Sequence, residues 1–434
     1  MNVYAWIILI ALVAEYVIGT LASVLNLRAA SATVPAEFRG VYDPDAYEKS
    51  QRYLTARTRL GMLTTTYALG LVLLFWSCRG FPTLDQLVRS SGFGPVVTGL
   101  FFMGALTVGY AFLFLPFTVY STFVIERHFG FNRTTVATFV MDLVKGLLLS
   151  IVLGGPILGV ILVVLGQMGA RAWLVCWGVT AAYTMCMQTI VPVWIMPLFN
   201  TFEPLEEGDL RQELEAYLAE VSFPVGGLFV IDGSRRSSHS NAFVAGIGRT
   251  RRIALFDTLV ERHTVPELLA IVGHEIGHWR KHHIMVSTLV SIARSGVMFY
   301  LLSLFLTHRG LFTAFFMPDC PVYAGLVFFG MLYSPVEMVL SVAMNALSRR
   351  HEFAADRFAA DGVGAEAMAS ALKRLSVDNL ANLTPHWLKV LLDYSHPPLP
   401  ARLRAIAGEA LDGDKSESTD QVAHLPETEA EDPP

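Results

Sequence analysis

The sequence predicts a mainly α-helical, polytopic membrane protein with seven transmembrane helices and a soluble region that carries a small β-sheet. Three observations lead there. The 434 residues are 53% hydrophobic and only 16% charged, with a mean hydropathy of +0.48, whereas soluble domains average about 25% charged residues. Seven apolar stretches reach the roughly 20 residues that a helix needs to cross a bilayer. Between the fifth and sixth of them lies a polar insertion, 192–283, in which short β-rich runs alternate with Gly and Ser.

The seven stretches run at about 3–25, 60–78, 96–118, 143–165, 172–191, 284–306 and 322–344. The first reads as a retained helix rather than a cleaved signal, because it lacks a basic leading segment and its apolar part is long. Lysine and arginine in the loops set the orientation. Loops 26–59, 119–142 and 192–283 hold six, two and nine, against two, one and one in 79–95, 166–171 and 307–321. By the positive-inside rule, 192–283 and the segment after 344 face the cytosol.

The net charge of −5 offers no basic surface for a nucleic acid. Cys78, Cys176, Cys186 and Cys320 have neither zinc-ribbon nor disulfide spacing, and read as buried small hydrophobes. There is no internal repeat.

Within the insertion, 210–221 has helical periodicity, with Leu210, Leu214, Tyr217, Leu218 and Val221 on one face. Three short strands follow at 227–232, 241–246 and 252–256. Thr264-Val-Pro-Glu267 then opens a helix as a capping box with proline in the first turn. After the last span, helix continues from 349 to about 360, and another is expected over 365–375. The acidic stretch 413–434, rich in Ser, Thr and Pro, is expected to be disordered.

The capped helix carries His274-Glu275-Ile276-Gly277-His278. Histidines at i and i+4 leave a helix from one face and can share a metal. Neutral imidazole is the usual zinc ligand, and Glu275 is placed to take a proton from water on that metal. A catalytic site needs a third protein ligand. His282 lies about 80° round the helix from His274, too far to converge on the same ion, so His282 and His283 read as interfacial. Glu352 is the better candidate, with Asp356 one turn beyond it on the same face. Asp356 could accept a hydrogen bond from the far nitrogen of a ligating histidine. The plain alternative is that both acids pair with Arg349, Arg350 or Arg357 on a solvated helix.

Five segments together resemble the integral-membrane type I CaaX prenyl proteases, zinc metalloendopeptidases of the gluzincin type. They are His-Glu-Ile-Gly-His-Trp at 274–279, Ser-Arg-Arg-His-Glu-Phe-Ala-Ala-Asp at 348–356, Tyr-Ser-His-Pro at 394–397, Ser-Ser-His-Ser-Asn-Ala at 237–242 and Arg-Ile-Ala-Leu-Phe-Asp-Thr-Leu at 252–259. The likeness covers nearly the whole chain and implies one membrane-embedded unit over 1–412, with catalytic segments 192–283 and 345–412 forming a zincin-like region. It implies one Zn²⁺ per chain held by His274, His278 and Glu352, with Glu275 as general base. It also makes Asp356 the carboxylate behind a ligand, Asn241 a substrate-binding residue, His396 a stabiliser of the oxyanion, and Arg402 the anchor of the His396 loop. His351 departs from the family, whose members carry an aromatic residue there.

Relatives cut after a prenylated cysteine and enclose a chamber within seven helices. That would give a water-filled setting to Glu15, Arg294 and Glu337, which otherwise must pair inside the spans. The expected partners are therefore a peptide or protein substrate, possibly lipidated, and the bilayer. The alternatives are a quality-control membrane metalloprotease, disfavoured by seven spans and the Ser-His-Pro segment, and a non-catalytic zinc-containing binding protein, which has no use for Glu275. The expected location is a bacterial plasma membrane.

Overall fold

The computed structural model describes residues 2–31, 33–246 and 251–408; the acidic tail 413–434 lies outside the described residues. Among the described residues, seven helices are long and apolar enough to cross a membrane: Val3–Ala29, Pro44–Ser77, Pro95–Glu126, Val136–Gln167, Gly169–Phe199, His283–Phe305 and Val322–Val363. All seven expected spans are present, and most extend past the bilayer. The last has 42 residues, about 63 Å at 1.5 Å per residue, roughly twice the hydrocarbon thickness. Its C-terminal half therefore stands outside the membrane, and that half carries Glu352 and Asp356.

The membrane part is densely packed only at the end away from those residues. There the short helices Gly80–Arg89 and Arg309–Ala314 close over Trp76, Phe81, Phe102, Phe312, Phe315 and Phe328. Phe315 and Phe328 stack at 3.9 Å. Towards the other end, Arg294 of the sixth span pairs with Glu337 of the seventh at 3.0 Å. Glu337 and Glu15 both line a cavity of about 850 Å³ between the first, second and seventh spans. Arg294 and Glu337 thus pair between spans, and Glu15 and Glu337 face a cavity whose exposed lining is largely apolar.

One expectation fails at the cysteines. All four are free, but only Cys176 is buried, while Cys78, Cys186 and Cys320 are exposed. Cys186 lies on the surface of a spanning helix, Cys78 caps the second span and Cys320 lies in the loop before the seventh, so an apolar neighbourhood in sequence does not imply burial inside protein.

The soluble region contains a four-stranded sheet: β1 (Phe202–Pro204), β2 (Gly227–Ile231), β3 (Ala242–Ala245) and β4 (Arg252–Phe256). The order is β1-β2-β4-β3, with β2 and β4 parallel and the outer pairs antiparallel. Strand β1 escapes sequence reading because three residues ending in proline have no alternation to detect. β3 is an edge strand, so one side of its backbone is free to pair.

The sheet packs on the helix Val265–Arg280, which Thr264 opens as expected: its backbone N–H donates to Glu267 Oε2 at 2.8 Å. Leu214, Tyr217 and Leu218 from the helix Asp209–Glu220 join Ile253, Leu255, Leu268, Val272 and Ile276 in one core. That core also takes Ala359 from the long seventh helix and Met368 and Leu372 from Ala365–Asp378.

The motif helix and the long helix meet at Gly277. A Cβ built there would lie 3.1 Å from Ala355 Cα and 3.2 Å from its carbonyl oxygen. Backbone cannot yield as a side chain tip can. Gly277→Ala is expected to push the two helices apart, at a cost of about 1–3 kcal/mol. It should also weaken metal binding, measured as zinc content after dialysis; full retention would show that the contact is slack.

Candidate metal centre

The helix crossing at Gly277 places the motif histidines against Glu352. His274 Nε2 lies 3.1 Å from His278 Nε2. Glu352 Oε1 is 3.2 Å from His278 Nε2, and Glu352 Oε2 is 3.5 Å from His274 Nε2. Tetrahedral ligands about 2.0–2.1 Å from one zinc ion are separated by about 3.3–3.4 Å, so the spacing fits. Among the described residues this is the only group of three or more metal-type side chains close enough to share an ion. Glu352 is 4% exposed and its Oε2 has no hydrogen-bond partner. The carboxylate faces both imidazoles, Oε1 towards His278 and Oε2 towards His274, with Arg402 Nη2 also 3.5 Å from Oε2, and this donor set suits a metal cation.

The arginine alternative does not hold. Arg349 donates to the carbonyls of Val390 and Tyr394 at 3.1 and 2.7 Å, and Arg357 pairs with Asp361 at 2.9 Å. Asp356, 1% exposed, lies instead 2.9 Å from His274 Nδ1. Arg402 grips the same carboxylate with two hydrogen bonds, Nε to Oδ2 at 2.7 Å and Nη2 to Oδ1 at 2.6 Å. Such a fork fixes both planes, and it anchors the helix Leu399–Ile406 that follows the Ser395-His396 loop. Burial disfavours charge on His274, yet Asp356 and Glu352 outweigh it and hold its pKa at about 9. A metal must therefore displace a proton there.

Glu275 is half-buried, and burial pushes its carboxyl pKa above the ordinary value although His274 and His278 pull it down. His396 reaches over the ligands with Nε2 3.4 Å from Glu352 Oε1, its side chain 63% exposed. Asn241 is exposed at the head of β3, where its carbonyl accepts from Phe256 N–H at 3.0 Å. His239, two residues earlier, stacks on Phe131 at 3.8 Å and shares a hydrogen bond with Asn379 Oδ1 at 2.9 Å, which pins the approach to β3.

Sequence reasoning missed His283. Read above as interfacial, it is 7% exposed at the start of the sixth span, and its Nδ1 lies 3.2 Å from His278 Nδ1. His351 stacks on its other face at 4.0 Å with the rings 8° from parallel. Helical arithmetic hid this contact, because the helix breaks between the two residues.

The fold and site define a membrane-embedded metallopeptidase of the His-Glu-x-x-His type. Comparison with known proteins agrees: residues 23–201 match the CAAX prenyl protease N-terminal family, five membrane helices, and residues 204–410 match peptidase family M48. The chain is 37% identical over 386 residues to the probable CAAX prenyl protease 1 of Schizosaccharomyces pombe, covering 86% of this chain and 81% of that one. It is 33% identical to the CAAX prenyl protease 1 homolog of Homo sapiens, over 86% and 88% of the two chains. The crystal structure of S. mikatae Ste24p superposes with a TM-score of 0.89 at 30% identity, covering 94% of this chain and 99% of that chain. The chain belongs to the CAAX prenyl protease 1 family, within peptidase family M48.

Proposed function

We propose that this metallopeptidase carries one zinc ion per chain, held by His274, His278 and Glu352, and cuts prenylated C-terminal peptides. The convergence of His274 Nε2, His278 Nε2 and the buried Glu352 carboxylate within reach of one ion carries the reading. Zinc bound there would polarise a peptide carbonyl and acidify a water molecule.

The chain's own residues supply the rest. Glu275, with its raised pKa, takes the proton from the attacking water and returns it to the leaving amine. Asp356 fixes the His274 ring, and Arg402 fixes Asp356 and the loop that presents His396. His396, largely exposed and beside Glu352, stabilises the developing oxyanion. The free side of β3 takes an extended peptide by backbone hydrogen bonds, and Asn241 at its head contacts that peptide.

The chain works as one unit over 1–412, since the ligands come from both sides of two spans. The lysine and arginine asymmetry of the loops puts the catalytic segments on the cytosolic side. The cavity lined by Glu15 and Glu337 belongs to a chamber through which substrate reaches the centre.

Zinc stoichiometry tests the ligand set. Glu352→Ala is expected to purify with far less than one zinc per chain, and a farnesylated tetrapeptide-ended substrate should be cut by the parent but not by the variant. Full zinc retention in the variant would remove Glu352 from the centre. Equal cleavage of an unprenylated twin would leave the metallopeptidase standing but not the prenyl preference.

A further inference from the structure

The motif helix ends with Lys281 at its C-cap, and His282 adopts φ 57°, ψ 26° before the sixth span begins at His283. A non-glycine residue in this left-handed region costs about 1 kcal/mol or more. On an unbroken helix, His283 would sit about 140° round from His278 and about 7.5 Å along the axis, out of reach. The left-handed residue breaks the helix and turns His283 back against the ligand.

Two Nδ1 atoms 3.2 Å apart, one on His278 and one on His283, can share only one proton in a hydrogen bond. The rings stand at 77°, edge towards face, as such a bond allows. The metal decides where the proton sits. His278 faces Glu352 and His274 with Nε2, and an imidazole that ligates through Nε2 keeps its hydrogen on Nδ1. His283 must then present a bare Nδ1. Its ring is held in place by burial and by a face-to-face stack on His351.

We propose that His283 is the positioning residue for the ligand His278: its Nδ1 accepts the His278 Nδ1–H and fixes that ring with Nε2 towards the metal. This rests on the zinc assignment above. The two ligating histidines are thereby held differently. His274 has an anionic partner in Asp356, itself neutralised by Arg402, whereas His278 has a neutral one. A neutral acceptor orients the ring without adding negative charge beside the ion, so the ion keeps more of its power to polarise a carbonyl.

Two substitutions separate this role from packing. His283→Phe keeps the stack on His351 but has no acceptor; His283→Asn loses the stack but offers Oδ1 close to the place of Nδ1. Zinc affinity is measured by chelator competition on the full chain in detergent, with the visible spectrum of the cobalt-substituted protein as a report on ligand geometry. His283→Phe is expected to bind zinc about 10–100-fold more weakly with an altered cobalt spectrum, and His283→Asn to stay near the parent in both. Parental affinity in His283→Phe, or an equal loss in both variants, overturns the proposal. A parent chain that binds no zinc overturns the metal centre itself, and is told apart because it needs no variant.

Discussion

Glu275→Gln is expected to lower kcat on a farnesylated peptide by about 10²–10⁴-fold, the usual share of a general acid–base group, while leaving one zinc per chain. Glutamine keeps the length and shape of the side chain but takes no proton. The position is prepared for this role: burial raises the Glu275 carboxyl pKa, opposed by the neighbouring His274 and His278. A base poised nearer neutrality both accepts and returns a proton efficiently. Because Glu275 is not among the three side chains that can share the ion, zinc content should not move. Undiminished proteolysis in this variant would sink the mechanism, and loss of zinc would make Glu275 a ligand instead.

Arg402→Met is expected to destabilise the protein by about 3–5 kcal/mol, the cost of leaving one member of a buried ion pair alone. Asp356 is 1% exposed, and its side-chain partners are Arg402 and His274. With Arg402 gone, its charge falls on His274, and the helix Leu399–Ile406 loses its tie to the long helix. The variant should therefore unfold at lower temperature and also bind zinc more weakly. Combining it with Asp356→Leu removes both charges. The double variant should recover much of the stability, as apolar replacements of buried pairs do, yet not the metal affinity, since His274 still lacks its acceptor. Equal unfolding midpoints for parent and Arg402→Met would show that the pair contributes nothing.

Much of the molecule was legible because its signals are local. Apolar length marked all seven helices, and the capping box at Thr264 and Glu267 marked the start of the motif helix. Periodicity chose the face of the helix Asp209–Glu220 whose Leu214, Tyr217 and Leu218 are buried. Failures came where the deciding contact is remote. β1 exists because Phe202–Pro204 finds β2, not because its own three residues prefer a strand. Cys78, Cys186 and Cys320 lie in or beside apolar sequence but on outer surfaces, since in a membrane chain apolarity reports lipid as well as core.

At the metal centre the same division is sharper. The spacing of His274 and His278 follows from 3.6 residues per turn, and so needs nothing beyond the helix. Glu352 lies 74 residues after His278, across two spans, and its place beside the imidazoles is set by a close helix crossing at Gly277, where an added Cβ would meet Ala355 backbone at 3.1–3.2 Å. Its spacing from Asp356 made it a candidate, and resemblance to known sequence motifs favoured it over an arginine-paired, solvated helix. Gly277 and His283 carried no usable signal at all. The first matters through a partner backbone, and the second through a single left-handed residue that redirects the chain. Sequence alone thus determined the class of protein, the seven helices and the pair of histidines, because helical period acts over one turn and hydrophobic length over a single helix of about 20 residues. The tertiary structure alone decided how Glu352 comes to lie beside both imidazoles, what packs against the His278 ring and which strands are edges, because those depend on groups brought together by packing across the whole chain.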